Sequence, residues 1–138
     1  MTNKVETQKY TEFVDAVTSN ESKDYIEFNY RCFEIQSGDD GIPIHRLITA
    51  ALGMGAESGE FTEVVKKIVF QGKPVNEDNI FHMKRELGDI MWYVAQACMS
   101  LDTTIDEIIE MNVEKLQARY PGGSFDVHHS ENRVEGDL

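Results

Sequence analysis

The chain has 138 residues, 25 of them acidic and 13 basic, and a formal net charge of −12. Such a composition offers no basic stripe to a phosphate backbone, so nucleic acid is excluded as a partner. The first ten residues lack the apolar run of a signal peptide, and no segment approaches membrane-spanning length. We therefore expect a cytoplasmic protein with no membrane partner, whose cysteines Cys32 and Cys98 stay reduced.

Hydrophobic residues recur at helical spacing along most of the chain, and no stretch shows the alternation of a strand. The predicted helices span about residues 5–17, 24–35, 43–70, 77–101 and 105–120, with a polar break at 18–22. Asn76 or Asp78 is expected to cap the fourth helix, and Thr104 has capping-box spacing to Glu107 at the start of the fifth. The segment after these helices is polar and is predicted to be extended or mobile.

These elements predict an all-α fold in a single domain over residues 1–138, with a polar C-terminal tail from about residue 124. Because the helices are few and short, we expect a second copy of the chain to complete a helical bundle, which makes the protein a homo-oligomer. The apolar arc of the first long helix contains Ile44, Leu47, Ala51, Phe61, Val65 and Ile68, and that of the second contains Leu87, Ile90, Val94, Cys98 and Leu101.

Four carboxylates at the edges of these arcs are the unusual feature of the sequence. Glu57 and Glu60 are three residues apart on the first long helix, and Glu86 and Asp89 repeat that spacing on the second. Residues three apart share a helix face, so two adjacent helices would bring both pairs together. Half-buried carboxylates repel one another and raise one another's pKa values unless a cation neutralises them.

Spacing alone leaves two interpretations of these acids open. An acidic pair of this kind is typical of a solvated helix face. Two such pairs beside apolar arcs also fit a site for a hard divalent cation, and an all-carboxylate set suits Mg²⁺, with Mn²⁺ as a substitute. A carboxylate-bridged di-iron site is disfavoured, because it would need Glu-x-x-His on two helices and neither pair contains histidine.

A second polar motif closes the last helix. Asn112, Lys115 and Arg119 are three and four residues apart and share one face, directly before Tyr120 and the Pro-Gly-Gly that ends the helix. The two cations suit the C-terminus of any helix. They also suit the oxygens of a phosphate group, so structural and phosphate-binding interpretations both stay open.

Together these motifs resemble those of the MazG-like nucleoside triphosphate pyrophosphohydrolases, which are relatives of the all-α dUTPases and dCTP pyrophosphatases. The resemblance covers roughly residues 45–125 and includes both acidic pairs as well as the Asn…Lys…Arg-Tyr-Pro ending of the last helix. The sequence departs from the commoner family pattern at one place, where Ala56 replaces the first acid of an EExxE motif.

The resemblance implies Mg²⁺-dependent cleavage of a nucleoside or deoxynucleoside triphosphate between its α- and β-phosphates, by a dimer or tetramer. The implied catalytic metal ligands are Glu57, Glu60, Glu86 and Asp89. The implied phosphate or sugar contacts are Asn112, Lys115, Arg119 and Tyr120, with His45 and Tyr93 as further substrate contacts. Glu60 lies furthest from the apolar arc, so we expect it to orient or deprotonate the attacking water.

A second hypothesis is a catalytically silent helical oligomer that binds a nucleotide or an alarmone as a regulatory module. Retention of all four acids together with Asn112 and Lys115 favours the enzyme. A protein that only binds a nucleotide has no need for a carboxylate that activates water.

Overall fold

The computed structural model describes residues 6–137, and every regular element in that range is an α-helix, which confirms the predicted fold class. The helices of the described residues are α1 (Thr7–Val17), α2 (Asn20–Lys23), α3 (Tyr25–Ser37), α4 (Ile44–Phe70), α5 (Glu77–Ser100), α6 (Ile105–Arg119) and α7 (Val127–Glu131). The chain divides into two compact units, Met1–Ile44 and His45–Leu138. The single domain expected from the length stays a prediction, and the predicted helix start at residue 5 lies outside the described residues.

The first unit contains α1, α2 and α3. The carboxylate of Asp24 caps α3 by accepting hydrogen bonds from the backbone N–H groups of Ile26 and Glu27 at 2.8 and 3.0 Å. The predicted polar break at 18–22 is wrong in part, because α2 forms one helical turn there. Serine and asparagine can begin a helix as readily as they interrupt one, so composition did not separate the two cases.

In the second unit, two turns set the ends of the long helices. α4 ends at Phe70. Gly72, two residues further on, has a φ of 70°, the left-handed conformation that glycine adopts readily, and Lys73 N–H donates to the carbonyl of Lys67 at 3.1 Å. α5 begins at the predicted cap Asn76, whose side chain accepts a hydrogen bond from Asn79 N–H at 2.9 Å. Thr104 caps α6 as predicted, by accepting from Glu107 N–H.

The buried part of α4 differs from its predicted apolar arc. The buried hydrophobic side chains of the described residues are Ala50, Val64 and Cys98. Gly53 is buried with them, whereas Ala51 and Val65 of the predicted arc are exposed. On α5, Leu87 and Leu101 are also exposed, at 48% and 52%. Periodicity identified the apolar surface, but it does not reveal how much of that surface a single chain can cover.

The C-terminal tail contains a short helix, α7, so the prediction of an extended segment is wrong in part. α7 begins at its cap Asp126, which accepts a hydrogen bond from His129 N–H at 3.1 Å. Further on, the side chain of Asp137 is fully buried against Arg119 of α6. The polar composition concealed this order because a buried ion pair, rather than a hydrophobic residue, fixes the tail.

Both cysteines, Cys32 and Cys98, are free thiols, as predicted. None of the helices within residues 6–137 combines the length and apolar composition that a transmembrane segment requires.

Candidate metal centre

A close contact between α4 and α5 positions the acidic residues. The ring of Tyr93 lies directly on Gly53, so closely that a Cβ atom at position 53 would fall 2.2 Å from the ring carbons Cδ1 and Cε1. Glu57 is one helical turn after Gly53, and Asp89 is one turn before Tyr93. The same helix faces that meet at this contact therefore carry the carboxylates.

Three carboxylates converge at this point of the structure. Glu57 of α4 and Glu86 and Asp89 of α5 each present one oxygen, and these three oxygens lie within 4.8 Å of one another. The side chains of Glu57 and Glu86 are half-buried and that of Asp89 is exposed. The cluster is therefore partly covered at Glu57 and Glu86 and accessible to a ligand at Asp89.

The electrostatics of the cluster favour a bound cation. Burial raises the pKa of the Glu57 carboxyl group, and the neighbouring charges of Asp89, Glu86 and Glu60 raise that pKa further. Each ionised neighbour makes the negative form of Glu57 less favourable, so positive charge among the oxygens would relieve the repulsion. Because all three donors are carboxylate oxygens, the set fits a hard cation such as Mg²⁺ or Mn²⁺.

Glu60 stands apart from this trio. It lies one turn beyond Glu57 on α4 and is exposed. It contributes to the raised pKa of Glu57 through its charge, so it lies within electrostatic reach of the cluster. Its predicted roles as a metal ligand and as the group that prepares the water stay predictions.

The predicted phosphate contacts occupy α6. Asn112 and Lys115 line one cavity of about 390 Å³, whose wall also includes Gly136 of the tail. Arg119 instead makes a two-pronged ion pair: its Nε donates to both carboxylate oxygens of Asp137 at 2.8 Å, and its Nη2 lies 2.8 Å from Oδ1. Tyr120 ends α6 with its ring 5.8 Å from that of Phe125, centroid to centroid. No hydrogen bond or ion pair of the described residues joins this motif to the acidic cluster.

The two remaining predicted substrate contacts lie on α4 and α5. His45 is an exposed residue in the first turn of α4. Tyr93 is half-buried, and the packing of its ring on Gly53 gives it a structural part in the helix contact. Substrate contact by either residue stays a prediction.

Two residues beside the predicted sites escaped the sequence analysis. His82 Nε2 lies 2.8 Å from Glu86 Oε1, and its position four residues earlier on α5 was a signal that spacing offered. Asp137, the partner of Arg119, is 18 residues away along the chain, and no local pattern marks that pair.

The fold and this cluster define an all-α protein with a carboxylate site suited to a divalent cation. Comparison with protein families gives a match to the MazG nucleotide pyrophosphohydrolase domain over residues 47–124, more than half of the chain. The chain belongs to this MazG family, as the sequence motifs indicated. It is also similar to the Gene 37 protein of Mycobacterium phage L5, with 37% identity over 81 residues that cover 58% of this chain and 71% of the phage protein. No solved structure gave a significant match.

Proposed function

We propose that this chain hydrolyses nucleoside or deoxynucleoside triphosphates between the α- and β-phosphates, giving a nucleoside monophosphate and pyrophosphate in a Mg²⁺-dependent reaction. The observation that carries this proposal is the convergence of Glu57, Glu86 and Asp89 within 4.8 Å in a chain of the MazG nucleotide pyrophosphohydrolase family. A divalent cation supplies positive charge and Lewis acidity toward phosphate oxygens when bound.

The chain's own residues supply the other parts of the proposed mechanism. Glu57, Glu86 and Asp89 would hold the cation. Glu60, exposed beside them, orients a water molecule and accepts its proton. The water oxygen forms a bond to the α-phosphorus, the bond from that phosphorus to the bridging oxygen breaks, and the bridging oxygen leaves with pyrophosphate. Lys115 and Arg119 bind phosphate oxygens and balance the charge that develops on this leaving group.

The exposed apolar residues of the second unit support a homo-oligomer, dimeric or tetrameric, as part of this proposal. Large hydrophobic side chains are exposed along α4 and α5, including Leu52 at 71%, Phe70 at 82%, Phe81 at 61% and Trp92 at 49%. A helical surface with this many exposed large apolar side chains is the kind of surface that association with another chain would bury. A second copy of the chain is the partner that the family resemblance implies.

The test is a panel of the common ribonucleoside and deoxyribonucleoside triphosphates with the full chain, in Mg²⁺ and in EDTA. We expect monophosphate and pyrophosphate with Mg²⁺ and neither product with EDTA, measured by ion chromatography. In ¹⁸O-labelled water, the label should enter the monophosphate, because the water attacks the α-phosphorus. A nucleoside diphosphate and inorganic phosphate as products would contradict cleavage between the α- and β-phosphates. Nucleotide binding without any product would favour the catalytically silent module.

A further inference from the structure

The partner of Glu86 outside the carboxylate cluster is His82. The two residues are one turn apart on α5, and His82 Nε2 lies 2.8 Å from Glu86 Oε1. The His82 side chain is 47% exposed, whereas that of Glu86 is 12% exposed. The imidazole thus reaches from the helix surface to a carboxylate that is mostly enclosed.

We propose that His82 is a positioning residue that holds Glu86 in the orientation required for metal binding, an inference that rests on the proposed function. Glu86 has two like-charged neighbours, Glu57 and Asp89, and in the absence of a cation their repulsion favours rotamers that turn it away. A hydrogen bond donated by His82 to one oxygen opposes that rotation. The hydrogen bond uses Oε1, so the other carboxylate oxygen would be the one that binds a cation.

Hydrogen bonds to the ligands of a metal commonly control its affinity in this way, because they fix the direction of the donor atoms. The simpler interpretation of the pair is helix stabilisation, since a histidine and a glutamate four residues apart support a helix wherever they occur. The two interpretations differ in one measurable respect. Helix stabilisation predicts a change in thermal stability alone, whereas positioning predicts a change in metal affinity.

The experiment measures Mn²⁺ binding to the full chain by the electron paramagnetic resonance signal of free Mn²⁺, together with the thermal midpoint of the metal-free protein. We expect H82F, which retains a ring but no donor, to weaken Mn²⁺ affinity by about 10- to 100-fold. H82Q retains an N–H donor and should restore the affinity to within about threefold of wild type. The matched control is H128F, which removes a histidine of α7 and should leave Mn²⁺ affinity unchanged.

Wild-type Mn²⁺ affinity in H82F would overturn the positioning role while leaving the proposed metal site intact. A wild-type chain with no measurable Mn²⁺ affinity would overturn the metal site and the inference together. A lower thermal midpoint in H82F without any loss of affinity would identify the pair as a helix-stabilising contact and also overturn the inference.

The C-terminal tail is held to α6 by an ion pair between Asp137 and Arg119. Asp137 is fully buried, and its carboxylate accepts hydrogen bonds from Arg119, whose own side chain is only 14% exposed. Gly136 beside it lines the same cavity as Asn112 and Lys115. The hydrogen bonds from Arg119, aided by the charges of Arg133 and Lys115, lower the pKa of Asp137, so the carboxylate is an anion held among cations.

We infer that Asp137 occupies the place of a substrate phosphate on Arg119, so that the C-terminal tail is an autoinhibitory segment. This inference rests on the proposed role of Arg119 in phosphate binding. A planar guanidinium binds carboxylate and phosphate through the same two-pronged geometry, so the two anions compete for it. With the tail in place, Asp137 occupies the Nε and Nη2 edge of the guanidinium, and the Arg119 side chain is mostly buried.

The test compares D137N with wild type in steady-state turnover of the best triphosphate from the panel and in calorimetric titration with pyrophosphate. If the tail competes, D137N should lower KM and tighten pyrophosphate binding, both by on the order of tenfold, with kcat unchanged, because fewer molecules have Arg119 occupied. The control is D126N, which removes a tail carboxylate that pairs with His129 rather than Arg119.

A lower thermal midpoint with an unchanged or higher KM in D137N would show that the ion pair only anchors the tail, and would overturn the inference. Pyrophosphate titration needs no turnover, so its result is separable from the proposed reaction. Unchanged pyrophosphate affinity in D137N, whatever the activity of wild type, would also overturn the autoinhibitory role.

Discussion

Glu86→Gln should abolish Mg²⁺-dependent pyrophosphate release while leaving the helical structure intact. The Glu86 side chain is mostly buried. Its carboxylate lies close to those of Glu57 and Asp89 and also contacts the His82 ring. The amide is a neutral and weaker ligand for a hard cation, so we expect turnover to fall by about 100-fold or more. Turnover and Mn²⁺ affinity of the purified variant, with its circular dichroism spectrum, measure this result.

In the metal-free protein, the same substitution should preserve or raise the thermal stability, although it removes the activity. The charge of Glu86 is one of the causes of the raised pKa of Glu57, so its removal relieves repulsion in the metal-free protein. We expect the thermal midpoint in EDTA to be equal to that of wild type or higher. Loss of activity with an unchanged or raised thermal midpoint would show that the Glu86 carboxylate is required for function and not for stability.

Glu63→Gln provides the matched control for this experiment. Glu63 also lies on α4, but it is not a member of the trio, and its Oε1 lies 3.0 Å from Nζ of Lys67. E63Q should therefore retain turnover and Mn²⁺ affinity. Wild-type turnover in E86Q, or an equal loss in E63Q, would contradict the assignment of the metal site to Glu57, Glu86 and Asp89.

The long helices could be predicted from sequence because they depend on local spacing, and so could the helix faces that carry the acidic pairs. Asn76 and Thr104 marked helix starts through side chains that reach only three residues ahead. The two acidic pairs indicated shared faces for the same reason. The prediction that the acidic pairs would meet also required α4 and α5 to lie side by side, which spacing within each helix does not determine.

Features that depend on distant residues were not predictable from spacing. The ion pair between Arg119 and Asp137 spans 18 residues and buries a charge in a segment whose composition indicates mobility. The buried face of α4 includes Gly53 because the ring of Tyr93 on α5 packs against it. Hydrophobic periodicity cannot predict this contact, because glycine has no hydrophobic side chain. Glu60 shares a helix face with Glu57 but is not in the trio, although Glu86 and Asp89 have the same spacing on α5 and both belong to it. Spacing along one helix does not determine how close each residue lies to the neighbouring helix.

Gly53→Ala should produce the largest loss of stability among substitutions of the α4 glycines. The new Cβ would lie 2.2 Å from ring carbons of Tyr93, so either the ring or the helix must move. Overpacking of this kind costs about 1–3 kcal/mol, which exceeds the gain of about 0.5–1 kcal/mol from replacing a helical glycine by alanine. Denaturant unfolding of the metal-free chain measures the net loss. Because Asp89 is one turn from Tyr93, Mn²⁺ affinity should fall as well.

Gly55→Ala is the matched control, since a Cβ at position 55 meets nothing within 4 Å and the residue belongs to the same helix. G55A should be more stable than wild type by about 0.5–1 kcal/mol, because alanine has the higher helix propensity. Combining G53A with Y93A separates the causes further: in the Y93A background, G53A should no longer destabilise, because the clashing ring is gone. Equal stabilisation by G53A and G55A would show that α4 and α5 do not meet at this glycine, and the placement of Glu57 beside Asp89 would lose its structural basis.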